Sequence, residues 1–458
     1  MKYVAAIDLG TSKIMGMIAQ KEGEVFTILE VEKEDASSSM RRGYVHNVND
    51  VPIKIKRIIK KLENKFGKTI SHVYVNINGQ SLRSENNAIA YSVKDDEPIT
   101  QELLDKLKKD AAKKQLPPDT EVLEVVDPEY FIKNVRELSP VGVSCSQIEC
   151  KYKLLVGRPA FKRKIERCFN EIVDTDIAGY MISPVATAAA VLSESDKEMG
   201  CALVEFGAGI TSLSIYKNGL LRYMVAIPFG GENVTQDICT LGVAPDYADK
   251  LKLEIGDASN PQIAEKGKTI RLQSAELPVD TPEVDVKKLN ECISARETEI
   301  IANVLNQINV SGYNDKLGAG IIIAGGASQM KGLLELFKSM TTIEVKKADF
   351  MIPIEANRPD IVIRPGYEQI LGMLWLAEKS CIKEEEIIEI PDFDIVTDDK
   401  ENPPASPDKK GKKEKKETRQ PTGSGSKNKK GGFLSKFGRI SGFLFEDENT
   451  KFKDEDNQ

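Results

Sequence analysis

Two histidines (His46 and His72) and one tryptophan (Trp375) occur in 458 residues, which excludes a histidine-rich metal centre or a histidine-based catalytic triad. The seven cysteines, at 145, 150, 168, 201, 239, 292 and 381, form no CxxC pair. They read as small core hydrophobes of a reducing compartment, and zinc-dependent and disulfide-stapled classes drop out. No apolar run approaches the roughly 20 residues needed to cross a bilayer. The opening segment MKYVAAIDLG carries Asp8 and is expected to be neither a secretory signal nor a transit peptide. What is present is ordinary for a globular protein: 40% hydrophobic and 29% charged residues, 64 Lys+Arg against 71 Asp+Glu, net −7. The length predicts two to four structural units, at roughly 100–200 residues each.

The charge is segregated. Residues 384–401 hold nine acids against one Lys, whereas 409–439 hold twelve Lys/Arg against Glu414 and Glu417. The Pro-, Gly-, Ser- and Lys-rich stretch between 401 and 432 offers almost no apolar surface to offset ordering entropy, so it reads as a disordered linker. The folded body is expected to end near residue 390. After the linker the composition changes to Phe433-Leu434-Ser435-Lys436-Phe437-Gly438-Arg439-Ile440-Ser441-Gly442-Phe443-Leu444-Phe445. On a 3.6-residue period Phe433, Leu434, Phe437, Ile440 and Leu444 share a face, Lys436 borders it and Arg439 lies opposite. Thirteen residues at about 1.5 Å each give about 20 Å, too short to span a bilayer. A basic-flanked helix of this kind suits the plane of an anionic membrane surface, or otherwise docks on protein.

The body repeats itself. Residues 4–23 (VAAIDLGTSKIMGMIAQKEG) and 202–219 (ALVEFGAGITSLSIYKNG) each run a buried strand into an acid, Asp8 or Glu205. Each then turns between small residues, Gly10/Ser12 or Gly207/Gly209, enters a second strand, and ends in a charged turn with Gly. The spacing of about 197 residues predicts a duplicated α/β domain. Small residues at such turns let backbone amides approach phosphate oxygens. An acid at the strand end can face phosphate only through a bridging cation, implying Mg²⁺ held through water. A third element, GIIIAGGAS (320–328), runs a strand into Gly325-Gly326, followed by a helical pattern from Met330. That bare turn suits a base or ribose lying against backbone.

In this order, DLGTSK, VEFGAGIT and IIIAGGASQMKGL resemble the phosphate-1, phosphate-2 and adenosine motifs of the actin, Hsp70 and sugar-kinase ATPases. PVATAAAVL (184–192) and GYEQILGMLW (366–375) resemble that superfamily's two connecting helices. Within it the chain resembles the bacterial FtsA cell-division family over essentially its whole length. The resemblance implies an actin-like α/β fold of two duplicated domains around a nucleotide cleft, with an FtsA-type inserted subdomain and a disordered tail. It divides the chain into a lower ATPase domain with the phosphate-1 turn (1–83 and 161–195) and the inserted subdomain (84–160). The upper ATPase domain carries phosphate-2 (196–235), a partner-binding small subdomain (236–310) and the adenosine motif (311–365). A return helix (366–390), a charged linker (391–431), an amphipathic membrane-targeting helix (432–446) and an acidic tail (447–458) complete it.

Residue by residue, the resemblance implies that Gly10, Thr11, Ser12 and Lys13 hold the β- and γ-phosphates of ATP, with Asp8 and Glu205 ordering the water shell of Mg²⁺. Gly207, Gly209 and Thr211 close from the other domain, and Gly325, Gly326 and Ser328 line base and ribose. Asp249 and Lys252 match an Ala-Glu-x-x-Lys pattern in which this chain carries the shorter Asp. Glu205 stands where the family usually has Asp. Ser183 is the polar residue nearest the place where efficient hydrolases of the superfamily carry a water-orienting Gln or Glu. At most slow ATP hydrolysis is therefore expected. Arg296 and Glu299, three apart on one helix face, are implied to contact the tail of the ring protein FtsZ. Reversing Arg296 is expected to weaken that contact without shifting the melting temperature.

The implied function is an ATP-binding polymer at the cytoplasmic face of the inner membrane, at the septum. Its partners would be its own copies, the FtsZ C-terminal tail, anionic lipid and other division proteins; no nucleic-acid partner is expected. The alternatives are a pilus- or competence-assembly relative and, less favoured, a small-molecule kinase, for which no catalytic Asp is found. Strands are expected at 4–7, 14–18, 73–77, 202–206, 211–216 and 321–324, mostly parallel. Helices are expected at 52–64, 101–115, 160–172, 184–193, 245–255, 287–308, 329–340 and 368–378.

Overall fold

Val4 to Leu9 are buried without a break, the pattern of a strand covered on both faces rather than one. In the computed structural model, that strand (Lys2–Leu9) lies inside a six-stranded sheet. The structure describes residues 2–23, 25–94, 97–172, 174–259, 269–271 and 283–383. The linker (391–431), the helix expected at 432–446 and the acidic tail lie outside the described residues, as does the end of the return segment.

The sheet runs Asp176–Ile182, His72–Ile77, Lys2–Leu9, Lys13–Glu22, Val25–Asp35 and Ile354–Ala356. A nine-stranded sheet runs Val345–Lys347, Ile321–Ala324, Cys201–Phe206, Thr211–Lys217, Leu220–Ile227, Arg83–Ser92, Gln147–Gly157, Glu121–Ile132 and Val135–Glu137. Each contains the same five-strand unit: an antiparallel meander of three, then two strands added in parallel to the first. The duplication expected from the motifs is thus also a duplication of topology.

The expectation of mostly parallel strands is corrected. The first sheet mixes both senses, and six of the eight neighbour pairs in the second are antiparallel. The meanders need only short turns, and the segment 83–157 adds four antiparallel strands beyond Leu220–Ile227. That segment has its own small core, with Leu104 and Leu107 of helix Gln101–Ala111 packed against Ile148, Cys150 and Leu154.

Helices cover the sheets by apolar stripe. Helix Val51–Phe66 buries Val51, Ile55, Ile58, Ile59 and Leu62, begins with Pro52 in its first turn and ends on Gly67 at φ 77°. It seats against Gly16, where a Cβ would stand 2.4 Å from Ile58 Cγ2. Two helices and several strands escaped the periodicity analysis: Glu194–Met199, Gly231–Cys239, and among the strands Val25–Asp35, Asp176–Ile182 and Leu220–Ile227.

The two connecting helices, Ser183–Val191 and Glu368–Leu376, cross in backbone contact. A Cβ on Gly372 would fall 1.7 Å from the Ala186 carbonyl oxygen. Both helices are short and apolar, and Lys21 closes the end of the second by donating to the carbonyls of Trp375 and Ala377. Gly372→Ala is expected to force the helices apart at a cost of about 3 kcal/mol or more. A thermal melt checks this against Gly326→Ala, which has open space around its Cβ and should leave the melting temperature nearly unchanged.

Candidate functional site

The two repeated units meet at their turns. Gly10 N–H donates to the Lys13 carbonyl at 3.1 Å, and Gly207 N–H donates to that of Ile210 at 2.9 Å. A Cβ at either glycine would lie 2.8 or 2.7 Å from that same carbonyl oxygen, so only glycine closes a four-residue turn of this shape. Gly209 packs on Thr11, where a Cβ would meet the Thr11 Oγ1 at 2.7 Å. The Thr11 hydroxyl is fixed by the Gly43 N–H at 2.9 Å. The tips of both turns border a cavity of about 650 Å³.

Two residues before each glycine sits the acid. Asp8 and Glu205 occupy equivalent positions at the ends of their strands and both line the cavity. Burial raises the Asp8 carboxyl to about 6, against the pull of Lys13 and a hydrogen bond from Gln369. Burial raises Glu205 further, to about 8, and the negative charges of Glu368 and Asp8 add to the rise. Glu205 Oε2 is buried without a hydrogen-bond partner among the described residues. Glu368 is pushed upward by burial and partly relieved by backbone N–H groups, that of Gly366 at 2.7 Å among them. Lys13, itself lowered by burial, stands near these acids, its Nζ 5.3 Å from the Tyr367 ring centroid.

At the other end, strand Ile321–Ala324 turns at Gly325, φ 88°, directly over strand Cys201–Phe206. Gly326 faces the cavity bare, opposite Gly366. Helix Pro245–Glu254 brings Asp249 and Lys252 together at 2.6 Å. Lys252 Nζ donates as well to Thr235 Oγ1 at 2.7 Å and the Gly231 carbonyl at 3.1 Å. Ten of the twelve expected nucleotide-contacting residues therefore line one cavity, together with both expected magnesium-water acids.

Thr211 and Ser328 do not. Thr211 is fully buried and donates to the Phe229 carbonyl at 2.9 Å, while Ser328 donates to that of Gly325 at 2.7 Å. Each hydroxyl closes the backbone behind the cavity wall instead of reaching into it. Ser183 is likewise buried, accepting from Asn76 Nδ2 at 3.2 Å and donating to the Ile77 carbonyl, away from the cavity. The side chains that do reach Asp8's neighbourhood are Glu368 and Gln369 of the second connecting helix, and Asn76, whose Oδ1 takes the Leu9 N–H at 2.7 Å. A glutamate on the buried stripe of helix Val286–Ser311, Glu297, also lines the cavity. Its place on a mostly apolar stripe, shared with the polar Asn290, is the sequence signal for it.

Arg296 and Glu299 do pair with each other, but Arg296 also grips Asp237 of helix Gly231–Cys239 through both Nε and Nη2, the latter at 3.1 Å. The guanidinium lies 6.0 Å from the Phe229 ring centroid. Arg296 is therefore a clamp between two helices, which corrects the expectation that reversing it leaves stability untouched. Arg296→Glu would place three carboxylates together and should lower stability by roughly 1–2 kcal/mol, more than an exposed pair contributes. A melting temperature equal to that of the unaltered protein would contradict the clamp.

A family model described as "Cell division protein FtsA" matches residues 202–372, and one described as "SHS2 domain inserted in FTSA" matches 79–156. The cell division protein FtsA of Porphyromonas gingivalis is 33% identical over 341 residues, covering 73% of this chain and 70% of that protein. That of Escherichia coli is 25% identical over 405 residues, covering 85% and 93%. Among solved structures, the PilM–PilN type IV pilus biogenesis complex aligns with a TM-score of 0.57 at 12% identity, covering 81% of this chain and 97% of that one. That likeness speaks for the fold alone. The fold is an actin-like mixed α/β architecture carrying the inserted SHS2 domain, and the chain belongs to the FtsA family of bacterial cell-division proteins.

Proposed function

We propose that this chain binds ATP with Mg²⁺ in the cleft and polymerises with its own copies. In this reading it tethers the FtsZ ring to the cytoplasmic face of the inner membrane at the septum, through residues 432–446. The observation that carries the nucleotide is the pair of like-bonded glycine turns lining one cavity, with Gly10 and Gly207 each against a carbonyl three residues on. Two such turns cradle a polyanion between facing backbones and bring an acid beside it from each side.

The acids suit a cation held through water. Asp8, Glu205 and Glu368 are close enough that burial and mutual repulsion hinder ionisation of Glu205, with one orphaned oxygen and Lys13 as the near positive charge, an arrangement a bound cation would relieve. Mg²⁺ would neutralise phosphate charge there. Slow hydrolysis is part of the proposal: Ser183 is turned to the Ile77 carbonyl, away from the cavity, and the Gln369 amide beside Asp8 is hydrogen-bonded to that carboxyl.

The FtsZ tail is proposed to dock on the outer face of helix Val286–Ser311 around half-exposed Glu299, with Arg296 offering what its clamp leaves accessible. The membrane contact rests on sequence. Burying Phe433, Leu434, Phe437, Ile440 and Leu444 is worth several kcal/mol at about 25 cal/mol/Å², and nearby lysines add about 1 kcal/mol each. Ordering a glycine-containing 13-mer offsets much of that gain. A linker of about 40 residues reaches roughly 35 Å, so many tails held on one filament can bind where one tail exchanges.

Sedimentation with anionic liposomes, with and without ATP, tests the whole reading. The unaltered protein should sediment, more strongly with ATP. Phe437→Glu with Leu444→Glu should stay in the supernatant while still binding labelled ATP; continued sedimentation would transfer the helix to a protein-docking role. Gly10→Val should lose ATP binding, because a Cβ there would stand 2.8 Å from the Lys13 carbonyl oxygen and force open the turn proposed to cradle the phosphates. If it binds like the unaltered protein, the phosphate assignment falls.

A further inference from the structure

A two-stranded hairpin, Met40–Arg41 with Tyr44–Val45, closes through Arg42 and Gly43. Both turn residues have positive φ, 47° at Arg42 and 78° at Gly43, the pattern of a type I′ turn. Asn, Asp or Gly takes the first place of such a turn with little strain, and arginine does not. The backbone gains nothing from arginine here, so the reason for it lies in its side chain.

The turn is wedged between the two glycine turns. Gly43 N–H donates to Thr11 Oγ1 at 2.9 Å. A Cβ on Gly43 would stand 3.0 Å from Ile210 Cδ1, and one on Gly209 would stand 3.0 Å from the Arg42 Cα and 2.7 Å from Thr11 Oγ1. Gly43 lines the cavity with Thr11, Gly209 and Ile210. The Arg42 side chain therefore starts beside both turns. It is exposed, and among the described residues it makes one hydrogen bond, from Nη1 to Gln80 Oε1 at 3.2 Å. That bond is long, its acceptor is neutral, and most of the guanidinium's donors are left over. Its charge already reaches the cavity wall: burial raises the Glu232 carboxyl, and Arg41, Lys252 and Arg42 oppose the rise.

We propose that Arg42 is an anion contact of this cleft, its guanidinium leaving Gln80 for phosphate oxygens of a nucleotide held between the Gly10 and Gly207 turns; the inference rests on the ATP-binding reading above. A triphosphate brings several negative charges, and the lysines nearby are engaged. Lys252 donates to three oxygens, and Lys13 stands beside Asp8 and Glu368. A forked, charge-assisted contact with phosphate is stronger than one long bond to a neutral amide.

Equilibrium binding of ATP with Mg²⁺ to the full-length protein tests this, at low and high salt, with melts of the nucleotide-free chain alongside. Arg42→Asn suits the turn, so its melting temperature should equal or exceed that of the unaltered protein. Its affinity for ATP should fall about tenfold or more, the effect of losing a hydrogen bond between charged groups. The affinity that remains should depend less on salt, because one screened attraction is gone. Arg42→Gly, equally at ease at positive φ, should match it. Arg42→Lys restores the charge and should recover part of the loss. Gln80→Met removes only the resting partner and should bind ATP at least as well as the unaltered protein. ATP affinity in both Arg42→Asn and Arg42→Gly equal to that of the unaltered protein overturns this inference alone. So does a loss in Gln80→Met as large as that in Arg42→Asn, which would make the pair a structural tie. No ATP binding by the unaltered protein overturns it together with the ATP-binding reading.

Discussion

The architecture depends on main chain approaching main chain more closely than any side chain permits. At Gly10 and Gly207 a carbonyl closes the turn, at Gly230 a Cβ would stand 2.5 Å from the Gly207 carbonyl oxygen, and at Gly372 one helix lies on the backbone of another. These contacts bring two turns together and hold the connecting helices at their crossing. Helix Gly231–Cys239 begins on the same spot, its first N–H groups donating to the carbonyls of Gly207 and Ala208 at 3.0 and 2.7 Å. The Gly207 turn is thus braced from behind by a helix N-terminus that its own carbonyls satisfy.

The cleft that results is electrostatically unfinished. Asp8, Glu205 and Glu297 are all raised by burial, and the nearby lysines are already employed: Lys252 by three oxygens, Lys13 near Asp8 and Glu368. Buried carboxyls that lack partners are expensive in a folded chain unless something bound there completes them.

Duplication explains the frame and insertion explains its asymmetry. Both sheets share the five-strand order, but one edge of the second is extended by the strands of the inserted domain, which bring their own core. The strands join through one bridge, Val225 with Arg83, with Ala226 N–H donating to the Leu82 carbonyl and Met224 N–H to Ser84 Oγ, and Arg222 grips the Glu129 carboxylate across the join. An added sheet edge of this kind alters the surface while leaving the cleft's geometry to the duplicated units.

Much of the cleft was legible in the chain because its chemistry is local. The stretch Asp8 to Lys13 carries the acid at its strand end and the glycine turn after it within six residues, and two copies about 197 apart announce that they work as a pair. The connecting helices were legible for the same reason, their apolar character being continuous. Strand sense was not, since alternating β and α patterns do not say which neighbour a strand will take. Nor was the direction of a short hydroxyl: Thr211, Ser328 and Ser183 all sit beside the cavity in sequence and turn to backbone carbonyls behind it. Arg296 looked like a surface charge until Asp237, 59 residues earlier, came alongside. Sequence by itself determined the turns, the acids and the family, which depend on adjacent residues. Tertiary structure alone decided which polar groups face the cleft and which are spent on the scaffold, because a hydrogen bond's partner is chosen by packing between distant segments and not by neighbours along the chain.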